Sequence, residues 1–299
     1  MVAARTVDRT PAIGLVGAGA VSVQFGAALA TKLFHRVGPA GAVTLRLVLA
    51  AAVLAMSVGL TARRGGPTAG RSRVDWLVAV SFGLVLAGMN LSFYEAIARI
   101  PLGVAVTIEF SGPLTLALAS SRRWTDGLWG AAAGAGVVLL ASGVGRRLDL
   151  AGVALALIAG IFWVAYILLS KETGRRFDSF RGLAWAMTAG GLAMLPFGAA
   201  AGGVGLVRPE VLGIGLSVAV LSSVVPYTLE LTALRRVTPR AFGVMMSLEP
   251  AMATAAGFAV LGQHLDMREW IALALVVGAN VGNSLTGRPP PPEVVATGP

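Results

Sequence analysis

The 299-residue chain has no cysteine, only two histidines and three tyrosines, and just 13% charged residues. Without cysteine there are no disulfides and no thiolate metal sites. His35 and His264 stand far apart near the ends of apolar runs, which reads them as solvated groups rather than ligands or a proton relay. A soluble domain carries about 25% charged residues. A chain with 56% hydrophobic residues and a mean hydropathy of +0.79 is instead a polytopic membrane protein. There is no phosphate-binding loop and no soluble domain, so direct coupling to ATP is not expected. No nucleophile sits beside a base and no metal-ligand cluster is visible, so neither an enzyme nor a bound cofactor or metal is expected.

What the chain has is apolar length. Ten segments, 12–31, 37–62, 76–97, 101–119, 127–145, 150–170, 182–201, 211–232, 241–261 and 267–286, each approach the ~20 residues needed to cross the hydrocarbon core. The net charge of +10 lies in short clusters between these runs. That is an orientation signal and offers no basic face to nucleic acid. With the N-terminus in the cytoplasm, sixteen lysines and arginines fall on the inside and seven outside, which favours two cytoplasmic termini. Trp76, Trp124, Trp129 and Trp270 lie near span ends, as interfacial anchors do. Arg5 and Arg9 before an apolar run, with Ala18-Gly19-Ala20 beyond, resemble a secretory leader. The lack of a following soluble domain favours a retained first helix. The tail 287–299 holds four consecutive prolines and is expected to be disordered.

Two spans carry a carboxylate and a proline near mid-depth. Segment 240–261, RAFGVMMSLEPAMATAAGFAVL, contains Glu249 and Pro250; segment 101–119, PLGVAVTIEFSGPLTLALA, contains Glu109 one turn before Pro113. A charged residue at the centre of a spanning helix costs roughly 2.5–3.5 kcal/mol on insertion scales. Proline removes a backbone donor and frees a carbonyl that a cavity or a neighbouring helix must satisfy. The combination predicts broken helices beside a polar cavity; the blander reading is a kinked structural helix with a protonated or paired glutamate. Shifted by 137 residues, Pro250 falls on Pro113, Ala233 on Ala96, Arg236 on Arg99 and Ala256 on Ala119, whereas Glu249 falls on Gly112. The chain therefore reads as two related halves, 12–145 and 150–286, after a cytoplasmic N-terminus of residues 1–11. Five spans per half start the second half from the opposite side, so the predicted fold is all-α, ten transmembrane helices as two inverted five-helix repeats. Such folds place substrate at the midplane and work by alternating access.

The other polar residues within spans are few. Arg46 has three readings: it binds a substrate carboxylate, pairs with a glutamate or snorkels outward. Asn90 and Tyr94 share a helix face, and Tyr94 reads equally as an interface aromatic. Glu95, near a span end, is expected to be wet. Tyr227 and Glu230 share a face just after Pro226 and are candidates for the transport path. Trp163 and Tyr166 either line a cavity or pack in the core. Gln24, Asn280 and Asn283 are candidates for interhelical hydrogen bonds. Gly17-Ala18-Gly19-Ala20 approaches a dinucleotide fingerprint but lacks the strand and the acidic residue that motif needs. It reads as helix packing, like Gly130/Gly134 and Gly198/Gly202.

The stretches GMNLSFYEAIARIPLGVAVTIEFSGPLTLAL and LSSVVPYTLELTALRRVTPRAFGVMMSLEPAMA resemble the EamA branch of the drug/metabolite transporters, within it most of all the bacterial inner-membrane threonine/homoserine exporters. TLRLVLAA and ALALIAGIFWVAYILLS extend the likeness, which runs from about residue 16 to residue 286. The resemblance implies ten helices in two inverted repeats, cytoplasmic termini, and proton-coupled export of small amino acids across the inner membrane. One departure stands out: the related exporters often carry glutamate where this chain has Gln263, in VLGQHL.

On that resemblance, Glu109 or Glu249 meets the ammonium of a zwitterion. Arg46, or backbone donors freed around Pro113 or Pro250, meets its carboxylate. A carboxylate taken out of water binds a proton more readily, which suits exchange of protons for substrate at one site. The partners implied are a small-molecule substrate, protons and the lipid bilayer; a monomer or a homodimer is compatible. Two other classes stand beside this one. An exporter of drugs or other metabolites would use the same fold with an apolar, aromatic pocket, and a non-transport membrane interaction protein would tolerate glutamine at both glutamates.

Overall fold

A computed structural model describes residues 10–61, 71–119, 124–141, 148–177, 179–226, 228–229 and 245–286. Every element among them is helical. Bilayer interiors offer no water to backbone polar groups, so apolar runs of this length close their hydrogen bonds within helices.

The helices in chain order are α1 (Thr10–Thr61), α2 (Arg73–Ile97), α3 (Leu102–Glu109), α4 (Ser111–Ala119), α5 (Trp124–Ala141), α6 (Leu150–Arg176), α7 (Ser179–Gly202), α8 (Pro209–Ala219), α9 (Glu249–Leu261) and α10 (Met267–Thr286). Among the described residues five helical stretches are long and apolar enough to cross a membrane: Gly14–Val58, Arg73–Ile97, Leu102–Ala119, Leu150–Arg176 and Arg181–Val207. Gly127–Leu140 and Pro209–Val224 are shorter apolar helices. The chain is thus a multi-pass, all-helical membrane protein.

The structure redraws several expected boundaries. Spans 12–31 and 37–62 have no loop between them, because helix runs through Lys32–Arg36 up to a one-residue break. At Gly38 the backbone turns to φ 68°, ψ 168°, and Pro39 follows. A side chain at φ > 0 is strained, and the residue before proline is driven out of the helical region, so Gly-Pro forms this corner. His35 is exposed on the last helical turn before the corner, and His264 is exposed in the loop before α10. The fourth expected span divides into α3 and α4 at Phe110. The eighth includes a π turn at Val220–Val224. Parts of the eighth and ninth, residues 230–244, lie outside the described residues.

At the other end of the bundle, Ser72 and Asp75 form a capping box that starts α2. Arg176 at the end of α6 reaches Asp75 at 3.0 Å and Glu172 at 2.5 Å. This ties α2 to α6 where their chain ends meet.

The centre of the fold is α3. All eight of its residues are buried, between α9, α6, α10 and the ends of α2 and α5. An eight-residue helix apolar on all sides is stable only when enclosed, and its sequence, LGVAVTIE, is apolar up to Thr107 and Glu109. Enclosure of α3 therefore brings one carboxylate to the middle of the protein.

Gly112 and Gly160 set the packing at that point. A Cβ on Gly112 would lie 2.2 Å from the Gly160 carbonyl oxygen, and one on Gly160 would lie 2.8 Å from the Glu109 carbonyl oxygen. The other glycine pairs behave less uniformly. Gly198 and Gly202 do bring α7 against α1, at Thr44 and Val37, whereas Gly17 and Gly134 face open space.

Candidate functional site

Both broken helices lie against one cavity of about 390 Å³. In the first, Pro113 has no N–H for the Glu109 carbonyl four residues earlier. Phe110 takes a single turn between α3 and α4, with its N–H on the Val106 carbonyl. The released Glu109 carbonyl abuts the Gly160 backbone of α6. In the second, Ser247 and Leu248 form a turn and α9 starts at Glu249, with Pro250 in its first turn. There the missing N–H has no intrahelical partner to lose.

Glu109 and Glu249 are buried, at 8% and 6% exposure, and both line the cavity. They sit at opposite helix poles: Glu109 ends α3, and Glu249 opens α9, where the amide dipoles favour negative charge. Gln24, from the first arm of α1, donates its amide Nε2 to Glu249 Oε2 at 3.1 Å. This is the interhelical bond the sequence suggested. Asn280 makes a different one, donating within its own helix to the Val276 carbonyl at 2.9 Å; Asn283 lines the cavity.

Arg46 lines the same cavity at 8% exposure. Its Nη2 donates to the Ser222 carbonyl at 2.9 Å, its Nε to Ser223 Oγ at 3.3 Å and its Nη1 to Tyr94 Oη at 3.4 Å. The guanidinium also lies 5.8 Å from the centre of the Tyr94 ring. Outward snorkelling is thereby overturned, since the side chain is buried and tethered on two sides. Tyr94 is fully buried rather than interfacial, and it braces Arg46 without lining the cavity. The serines that hold Arg46 were missed in the sequence. Their signal was a polar pair inside an apolar run just before Pro226. Pro226, four residues on, has no N–H to give the Ser222 carbonyl, which leaves that oxygen for the guanidinium.

Asn90, Trp163 and Tyr166 all line the cavity. Asn90 donates to the Leu86 carbonyl at 2.7 Å within its helix. Trp163 meets Phe110 edge to face, with ring centres 4.6 Å apart, and both line the cavity together with Phe93 as its aromatic part. Glu95 is half-exposed and pairs with Arg99 at 2.5 Å, away from the cavity. Tyr227 and Glu230 lie outside the described residues. The cavity thus offers two carboxylates and one guanidinium on a largely apolar lining, which suits a small zwitterion.

Residues 150–285 match the EamA-like transporter family. The threonine/homoserine exporter RhtA of Salmonella typhimurium strain SL1344 is 41% identical over 272 residues, covering 90% of both chains. RhtA of Escherichia coli K12 is 39% identical over 270 residues, covering 89% of both. The chain belongs to the EamA-like transporter family. A protein crystal structure 18% identical, spanning 93% of this chain and 98% of its own with a TM-score of 0.61, shares the fold.

Gln263 marks the departure seen in the sequence. Its Oε1 accepts the Leu102 N–H at 3.0 Å, so the loop between α9 and α10 caps the free N-terminus of α3. The residue lies outside the cavity lining.

Proposed function

We propose that this EamA family member is a secondary transporter that exports threonine- or homoserine-like amino acids in exchange for protons. The observation that carries the reading is one cavity at two helix breaks, lined by Glu109, Glu249 and Arg46. The relatives' names as threonine/homoserine exporters supply the substrate class.

In this reading the chain is two inverted five-helix repeats, 12–145 and 150–286, with both termini in the cytoplasm. The matching positions of the breaks before Pro113 and Pro250 support the repeat. Glu109 takes the proton. It ends α3 with no side-chain hydrogen bond among the described residues, and so is free to exchange partners. Glu249, held by Gln24 at the start of α9, receives the substrate ammonium together with Glu109. Arg46 takes the carboxylate. Proton and substrate compete for Glu109, and rocking of the two halves exposes it to each side in turn.

The test is efflux of labelled threonine and homoserine from cells overproducing the protein, with and without a protonophore. Efflux that collapses with the proton gradient supports the reading; no efflux of either from cells with the protein in the membrane overturns it. The aromatic lining of Phe93, Phe110 and Trp163 favours a second reading, export of larger amphipathic compounds. That reading predicts resistance to such compounds with no amino acid phenotype.

A further inference from the structure

Gln24 is 3% exposed and lines the cavity. Its Nε2 is committed to Glu249. A carboxylate oxygen accepts and an amide nitrogen donates, so this pairing fixes which way the amide faces. The remaining atom, Gln24 Oε1, is buried with no hydrogen-bond partner among the described residues. A buried acceptor left unpaired costs stability, and such groups persist in native structures where a ligand or water completes them. Ser222, also on the cavity wall, holds the other such atom, its Oγ. It is pressed against α1, where a Cβ on Gly26 would come within 2.2 Å of it. Gln24 Oε1 is therefore the better candidate for a ligand.

We infer that Gln24 is a specificity-determining residue that accepts the side-chain hydroxyl of the substrate. This deepens, and rests on, the export reading given above. The amide places its oxygen next to the carboxylate it holds, so Glu249 and Gln24 Oε1 form two adjacent acceptors. Adjacent acceptors match a ligand carrying an ammonium and a hydroxyl a short distance apart. In threonine the hydroxyl is on the carbon next to the one bearing nitrogen; in homoserine it is one carbon further. Both are amino alcohols, which gives one physical reason for a single site to take two substrates of different shape. An isostere with methyl for hydroxyl would bury Gln24 Oε1 unpaired, and sites that hydrogen-bond a substrate hydroxyl discriminate against such analogues.

The experiment is transport by the full chain in proteoliposomes, with threonine set against valine and homoserine against norvaline. The readout is the ratio of kcat/KM within each pair, so differences in protein amount cancel. The wild type is expected to favour the hydroxylated member of both pairs. Gln24→Met, which keeps length and removes the acceptor, is expected to lower both ratios about tenfold, the scale of one net hydrogen bond. Gln24→Asn, which keeps an amide, is expected to fall between. Equal transport of both members by the wild type overturns the inference, as do ratios unchanged in Gln24→Met. If Gln24→Met does not assemble, the wild-type ratios and Gln24→Asn decide it: wild-type preference with a reduced ratio in Gln24→Asn supports the inference, and an unchanged ratio overturns it. A wild type that moves none of the four amino acids overturns the export reading itself, a result distinct from transport without discrimination.

Discussion

Gln263 Oε1 accepts the backbone N–H of Leu102 at 3.0 Å, across 161 residues of chain. The bond joins the loop after α9 to the first turn of α3, the buried helix that ends in Glu109. Helix N-termini leave unsatisfied donors, and the residue before α3, Pro101, supplies no side-chain cap. Gln263→Ala is therefore expected to destabilise the protein by about 1 kcal/mol, within the range of lost caps. Gln263→Glu keeps an acceptor and is expected to hold both stability and transport. Thermal unfolding of the purified variants in detergent checks the first, and proton-driven threonine efflux the second. A changed proton dependence in Gln263→Glu would make this position part of the coupling rather than a cap.

Arg46 is the group for which length and shape matter as much as charge. Its three nitrogens reach three separate acceptors on α2 and in the π turn after α8. Lysine keeps the charge but cannot fill the planar fork. Arg46→Lys is expected to raise the KM for threonine at least about tenfold, with each lost charge-assisted bond worth about 1.5–3 kcal/mol. Tyr94→Phe removes only the weakest of the three contacts and is expected to have a smaller effect in the same direction. Equal KM values for Arg46→Lys and wild type would remove Arg46 from the substrate site.

Much of this arrangement was legible in the sequence, for a physical reason. A glutamate and a proline inside an apolar run each violate the rules of a spanning helix, and two violations together at Glu109/Pro113 and Glu249/Pro250 marked the cavity. What stayed hidden depended on long-range contacts. Nothing local in LSSVVP says that Ser222 and Ser223 will hold Arg46 from 176 and 177 residues away. Tyr94 read equally as a site residue and as an interface aromatic, because depth along a helix was readable and the facing partner was not. The corner at Gly38–Pro39 fell inside the expected span 37–62, because Lys32, His35 and Arg36 suggested that the loop lay before it.

Separating proton coupling from substrate exchange tests the two glutamates. With Glu109→Gln, proteoliposomes loaded with threonine are expected to retain threonine-for-threonine counterflow, because Glu249 still meets the ammonium. They are expected to lose net efflux driven by an imposed pH gradient. Glu249→Gln is expected to lose both, because it removes the carboxylate held by Gln24. Gradient-driven efflux at the wild-type rate in Glu109→Gln would sink the assignment of the proton to that residue.

The last prediction concerns the backbone that positions Glu109. A methyl on Gly112 would enter the space of the Gly160 carbonyl at 2.2 Å. The obstacle is backbone, so no side chain can rotate away, and α6 must separate from the break between α3 and α4. Overpacking of this kind costs about 1–3 kcal/mol, and the displaced element is the one that ends in Glu109. Gly112→Ala is therefore expected to lower both the melting temperature and export. Gly134, in α5, has nothing within 4 Å of the point where a methyl would stand. Alanine is the better helix former by about 1 kcal/mol, so Gly134→Ala is expected to fold as well as wild type and to export normally. The pair shares one chemical change and differs only in what the new methyl meets. Loss of export in Gly112→Ala at full thermal stability would point to motion of the break during transport. Loss of both would mean that close approach at Gly160 holds the fold itself.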